Sequence, residues 1–355
     1  MKLSDLYTAQ HVSANFISQE NLNQHPPLGR GLFPARQKAG LDLSWIFGSK
    51  GLGVSLMPSA FDAKSTLRGR IPVSMTKTQM PFYRESMLIS EKDEQEIMRA
   101  ESSADPFAQS VIDHIFDDAT TLIQGANIVP ERMIMQLLCP KGGNMGIDIQ
   151  ANNIVHRYNY DDTGEWKNGH YMQLSGTSLW SSSATCDPVQ DLEDAIEAQE
   201  SAAGERPSVA LMSGKTFGYL RKSEAIQKGL LASNPMAEVR MTEKRVRGYL
   251  LEELGLSIIV YTDKYRDEHQ VTHNYFGDDI VMLMPSGGLG TTWYGITPEQ
   301  RTLIMDPAAN VRVVNTGVAV AVTYTNDPVN TQTTVSEIVL PSFERRNDCY
   351  ALEVA

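Results

Sequence analysis

The sequence predicts an α+β chain in which a compact central unit follows ninety residues that cannot build a core of their own. Three observations predict this. Gly and Pro interrupt every apolar cluster in ENLNQHPPLGRGLFPARQKAGLDLSWIFGSKGLG (20–53) before helical or strand periodicity builds up. Between 150 and 305, strand-like apolar runs alternate with helices that carry clear start and stop signals. Beyond 305 the runs are strands alone.

Residues 1–50 therefore read as an arm and 51–90 as an extended hairpin, strand-like at both ends around the turn-prone Ala63–Arg70. Val54, Leu56, Met57, Val73 and Met75 are too few to cover two sheet faces, and an isolated two-stranded ribbon is marginal in water. Yet Trp45, Phe47, Phe61, Phe82 and Tyr83, without any long charge run, are not the composition of a disordered tail. Such a segment needs another chain's surface. Phe33, Trp45, Phe61 and Phe82 are the expected assembly-interface residues. Phe33 and Trp45 are expected to be buried mainly by other subunits, because a Gly/Pro-rich arm offers a large aromatic nowhere local to pack.

The next element is a long helix. Asp105-Pro106 supplies a cap and a proline at the first helical position. Phe107, Val111, Ile115 and Ala119 recur every four residues, and Ile112, Phe116 and Ile123 widen the stripe. Gly125 weakens the helix, and Pro130 is expected to break or kink it by removing a donor and crowding the preceding turn. Arg132–Leu138 continues as a second apolar stretch, stopped by Cys139-Pro140-Lys141-Gly142-Gly143. Strands at Ile147–Tyr158, Val209–Met212, Leu256–Tyr261 and Ile280–Met284 then alternate with helices at Pro188–Ala203, Thr216–Ala232 and Thr242–Leu254. Asp187-Pro188 opens the first of these helices and Gly204 closes it; Thr242 opens the third and Gly255 closes it. The tail returns to strands at 311–325, 335–342 and 349–354, which are expected to dock on the Asp105–Leu138 helix. Two domains follow: 91–149 with 306–355, and 150–305.

Composition narrows the function. At 355 residues the chain strains a single core. With 41% hydrophobic and 21% charged residues it reads as folded and soluble. No stretch approaches the ~20 apolar residues of a membrane span. The start, MKLSDLYTAQHVSANF, lacks a signal-peptide core, so assembly in the cytoplasm is expected. Net charge is −12 and no basic footprint for sequence-independent nucleic-acid binding is present. An acidic wall around nucleic acid remains compatible, because repulsion leaves the packed polymer mobile. Cys139, Cys186 and Cys349 show neither zinc nor disulfide spacing and read as small buried thiols.

Each chemical motif has a plainer account. Ser213-Gly214-Lys215-Thr216 follows a strand and opens a helix, but a phosphate loop needs its first glycine where Val209 stands. Gly287-Gly288-Leu289-Gly290 begins like a dinucleotide fingerprint, yet Trp293 replaces the third glycine, and a glycine-rich surface loop is expected. His269 and His273 are four apart, but YRDEHQVTHNYF suits a solvated hairpin in which the rings diverge. Asp117-Asp118, Asp161-Asp162 and Asp278-Asp279 are adjacent residues that point apart. No catalytic, cofactor or metal constellation emerges.

Several stretches together resemble the lambda-type major capsid proteins of tailed bacteriophages, the E family. LFPARQKAGLDLSWIFGSKGLGVSLMPSAF (32–61) looks like that family's arm entering the extended hairpin, and PFYRESMLISEKDEQEI (81–97) like the return strand. VPERMIMQLLCPKGG (129–143) is similar to the second half of its long helix, and LWSSSATCDPVQDLEDAIEAQE (179–200) to the axial-domain entry. PSVALMSGKTFGYLRKSEAI (207–226), DDIVMLMPSGGLGTTWYG (278–295) and LPSFERRNDCYALEV (340–354) complete a colinear match over nearly the whole chain.

The resemblance implies the tailed-phage capsid-shell fold, shared with herpesvirus floor domains and encapsulins. It places an N-terminal arm at 1–50 and an extended β-hairpin loop at 51–90. A peripheral domain with a spine helix takes 91–149 and 306–355, and an axial domain takes 150–305. It further implies self-assembly into hexamers and pentamers of an icosahedral head enclosing double-stranded DNA, without catalysis or sequence-specific DNA binding. The implied location is the virion shell. Expected partners are a portal, a possible decoration protein and a separate scaffolding chain, since no charged helical segment precedes the arm. Two alternatives stand beside this: a cellular nanocompartment or other shell or tube subunit, and a cytoplasmic α+β enzyme with a site in 150–305.

Overall fold

The computed structural model describes residues 8–22, 26–47, 74–93, 95, 106–151, 154–231 and 241–355. Helices α1 (Ala9–Leu22) and α2 (Leu28–Leu32) precede strands β1 (Ala35–Gln37), β2 (Asp42–Phe47), β3 (Ser74–Gln79) and β4 (Phe82–Ile89). The long α3 spans Pro106–Leu138, followed by β5 (Gly146–Ala151), β6 (Ile154–Asn159), α4 (Glu165–His170) and β7 (Tyr171–Gln173). Next come α5 (Pro188–Ala203), β8 (Val209–Ser213), α6 (Gly214–Lys222), α7 (Glu224–Leu231) and α8 (Glu243–Leu254). Strands β9 (Ser257–Tyr261), β10 (Lys264–Arg266), β11 (Thr272–Asn274), β12 (Ile280–Met284) and β13 (Thr291–Tyr294) lead to α9 (Pro298–Met305). The chain closes with β14 (Val311–Val314), β15 (Val318–Asn326), β16 (Val329–Ser342) and β17 (Tyr350–Glu353).

Two compact units result. The first gathers 1–44, 77–133 and 290–342; the second gathers 45–76, 134–289 and 343–355.

The first unit is built on a six-stranded sheet in the order β1-β13-β16-β15-β14, with β4 also paired to β16. The 14-residue β16 is its axis: Ser336 lies opposite Ala319 of β15, and Ile338 opposite Phe82 of β4. Ala9, Val12 and Phe16 of α1, spaced for one helical face, pack with Leu122 and Ile123 of α3 over Val314, Val320 and Val335. The arm therefore buries an apolar face within its own chain.

Pro130 lies inside α3, which runs unbroken from Pro106 to Leu138. An interior proline costs about 3 kcal/mol, but Met133, Ile134, Met135, Leu137 and Leu138 beyond it are fully buried and outweigh that cost. The Asp105 cap, and the side chains of the expected stripe up to Ala119, lie outside the described residues.

The second unit has a five-stranded sheet, β7-β17-β12-β8-β9, parallel at β8–β9 and β7–β17 and antiparallel elsewhere. Every residue of β12 (IVMLM) is buried, as a strand covered on both faces requires. Leu192 and Ile196 of α5, Phe217 and Leu220 of α6 and Val246 and Leu250 of α8 cover it. The start and stop signals act as read: Asp187 accepts from Val189 N and Gln190 N, while Gly204 and Gly255 adopt left-handed conformations at φ 73° and 71°.

Several expectations change. The helix expected over Thr216–Ala232 divides at Ser223, because Glu224 N leaves the helical ladder to bond Ser183 O. The strand expected over Ile147–Tyr158 is the hairpin β5–β6. The last strand, 349–354, is β17, which sits between β12 and β7 in the second unit's sheet, its apolar residues sharing that core. Residues 290–305, read with the central unit, supply β13 and α9 to the first.

Candidate functional site

The expected interface residues place the site on surfaces, and β4 is the first to consider. Its sequence, FYRESMLI, is rich in strand formers and pairs with β16 from Phe82 to Ile89. Among the described residues, no strand pairs with its other edge. Phe82 is 40% exposed and Leu88 57%, and they share one face with Arg84 because alternate residues face the same way. Arg84 stacks over the Phe82 ring at 5.2 Å and pairs with Glu299, whose carboxylate also accepts from Ser336 Oγ at 2.6 Å. Burial pushes the Glu299 carboxyl up, but these hydrogen bonds hold it below its ordinary value. A long sheet edge carrying apolar side chains is a template for pairing, and the central Arg84-Glu85 charges restrain it.

The other three expected interface residues fare differently. Phe33 is 1% exposed in the single chain, so its burial needs no other subunit. It packs against Gly290, where any Cβ would clash with both the Phe33 ring and Ser342 O. Thr292 Oγ1 donates to Phe33 O at 3.0 Å, and β1 runs parallel to β13. The arm finds its packing partner 259 residues away. Trp45 lies on β2, with its side chain outside the described residues; Phe61 lies outside them altogether.

Two features that pin the arm escaped sequence reasoning. Glu131 is buried and both carboxylate oxygens accept from Gly29 N at 3.0 Å. Arg30 donates to Asn127 at 2.8 Å. The available signal was an acidic residue inside the apolar run after Pro130. The surface loop read at Gly287–Trp293 holds for the exposed Gly287 and Gly288 and ends there: Leu289 and Thr292 are buried, and β13 pairs with both β1 and β16.

The chemical candidates are occupied by structural work. Ser213 Oγ accepts from Thr216 N and donates to Asp278 at 2.7 Å, forming the cap of α6. Lys215 Nζ lies 3.0 Å from both carboxylate oxygens of Asp279, which chiefly through this contact raises the lysine's pKa. An acidic pair at this turn repels phosphate. His269 and His273 fall on the β10–β11 hairpin, where His273 pairs with Asp267 at 2.8 Å. Burial pushes the Cys139 thiol up to about 12 and raises Cys186 and Cys349. A shallow cleft of about 450 Å³ is lined by Gly218, Arg221, Lys222, Gln227 and Met241, two cations without a nucleophile–base pair.

One group is electrostatically unusual. Glu337 on β16 is 1% exposed, and among the described residues neither oxygen has a hydrogen-bond partner. Burial pushes its carboxyl well above the ordinary value, because desolvation disfavours the charged form.

The fold has known counterparts. A phage-related protein from Bordetella bronchiseptica RB50 is 16% identical, with 98% of this chain and 97% of that one covered and a TM-score of 0.56. A candidate capsid protein from an E. coli CFT073 prophage is 15% identical over 80% of each chain, with a TM-score of 0.52. At these identities the likeness is one of fold. No curated protein sequence matches the chain. The model of the phage major capsid protein E family matches residues 18–354, nearly the whole length. The chain belongs to the phage major capsid protein E family, and is a structural subunit of a phage capsid shell built from copies of itself.

Proposed function

We propose that this shell subunit forms the hexamers and pentamers of an icosahedral head that encloses double-stranded DNA without reading its sequence. Assembly takes place in the bacterial cytoplasm, with a separate scaffolding chain, a portal and a possible decoration protein. In this reading 1–50 is the arm and 51–90 the extended loop; the peripheral domain is built on the first unit's sheet with α3, and the axial domain on the second unit's sheet. Phe82, Trp45 and Phe61 belong to the contacts between copies, and the protein is not an enzyme.

The observation that carries the reading is the open edge of β4 with Phe82 and Leu88 exposed, in a chain whose family builds shells. A contact covering such an edge together with the 51–90 segment reaches the obligate class, ~2,000 Å² or more in total. Deleting residues 58–73 spares β3 and β4. The expected result is a subunit with unchanged hydrogen-exchange protection in α5, β8 and β12, and no closed particles by negative-stain imaging. Normal particles from the deletion would refute the assignment of that segment to the assembly contact.

A further inference from the structure

The hairpin β10–β11 stands in its own two-stranded sheet, with Lys264 opposite Asn274, Tyr265 opposite His273 and Arg266 opposite Thr272. Directly opposed residues share a face and alternate residues change face. One face therefore carries Lys264 and Arg266, and the other carries Tyr265 and His273. Both cations are exposed, and neither makes an ion pair among the described residues. The second face continues as an aromatic row. Tyr265 lies 5.6 Å from the His273 ring and 4.8 Å from Tyr275, which lies 6.2 Å from Tyr261. Beside the row, Val271 is 51% exposed at the turn.

These two faces complement one another rather than themselves. Cationic heads seat favourably over aromatic rings, whose faces are electron-rich. Two copies meeting cationic face to cationic face would repel. A contact in which the same surface meets itself is two-fold, whereas a contact between two different surfaces is head-to-tail and gives a ring when its rotation closes.

We infer that the β10–β11 hairpin is a head-to-tail contact between copies of this chain, the Lys264/Arg266 face of one seated on the Tyr265–Tyr275–His273 face of the next. This rests on the shell reading above and gives its rings a specific lock. Asp267 sets the shape of the aromatic face. It accepts from His269 N and Val271 N at the turn and from His273 across it, which fixes the imidazole beside Tyr265.

Cysteine crosslinking of the full-length protein tests the geometry. In Lys264→Cys/His273→Cys, oxidation of assembled protein should give a ladder of covalent species up to ring size. Each single variant should give no more crosslinking than the wild type, whose three native thiols set the background. Lys264→Glu/Arg266→Glu should keep the wild-type melting temperature and raise the protein concentration needed for ring or shell formation at least about tenfold. Normal assembly of the charge-reversed protein, or a double-cysteine variant that assembles without a ladder, would overturn the inference. A covalent dimer from His273→Cys alone would also overturn it, by revealing a two-fold contact between aromatic faces. Wild-type protein that forms neither rings nor shells would instead remove the shell reading, and this inference with it.

Discussion

The helix ends of the second unit and the arm of the first are fixed by contacts of very different sequence range. In the second, helix ends are closed by residues adjacent in sequence: Asp187 for α5, Ser213 for α6, and Gly204 and Gly255 at the C-termini. In the first, the arm, the long helix and the tail must find one another across the chain. Ala9 N donates to Asn310, Gly29 N to Glu131 and Thr292 to Phe33 O, over separations of 301, 102 and 259 residues. Non-local contacts repay loop-closure entropy only late in folding. The comparison teaches that α5, α6 and α8 are bounded locally whereas the arm is conditional on distant segments, beside a β4 edge that no described strand covers.

The largest break in that comparison is Phe33→Ala. Removing a fully buried aromatic against Gly290 should cost about 3–5 kcal/mol and expose amides of β13 and β16 to hydrogen exchange, leaving β8 and β12 protected. Equal loss of protection in both sets would show that the units do not unfold separately.

Glu337→Gln should act in the opposite direction. Its folded-state pKa lies above the ordinary 4.5, so its favourable contribution is complete below that value and is lost as pH rises towards the folded pKa. The wild type should lose about 1.4 kcal/mol per pH unit through that window. The variant should lack this slope and be more stable at neutral pH. Denaturant titrations from pH 4 to 8 check it, and parallel curves would contradict the burial argument.

Asp187→Ala should remove the cap of α5 and cost about 1 kcal/mol, confined to the second unit and read by exchange of the Val189 and Gln190 amides. A change spread into β13 and β16 would count against local closure.

Lys215→Ala should have the smallest effect, within about 0.5 kcal/mol, because the lysine end of its pair with Asp279 is half-exposed. Calorimetric titration should detect no nucleotide binding by the wild type. Micromolar, magnesium-dependent affinity abolished by this variant would return a phosphate role to the turn.

The sequence by itself determined what local rules control. Caps and left-handed glycines bounded α5 and α8, and the apolar run at 280–284 marked the buried strand β12. Its hairpin spacing placed His269 and His273 on a hairpin, and Val209 stands in β8 where a phosphate loop needs its first glycine. The colinear motifs pointed to the family that matches the chain. Only the tertiary structure decided where Phe33 and α1 are buried, why α3 survives Pro130, and that β17 joins the second unit's sheet. Phe33 and α1 meet partners a hundred or more residues away, and β17 sets Glu353 opposite Ile280 of β12. Propensity and periodicity describe a segment's own preferences, whereas burial is settled by whichever surface the folded chain brings to it.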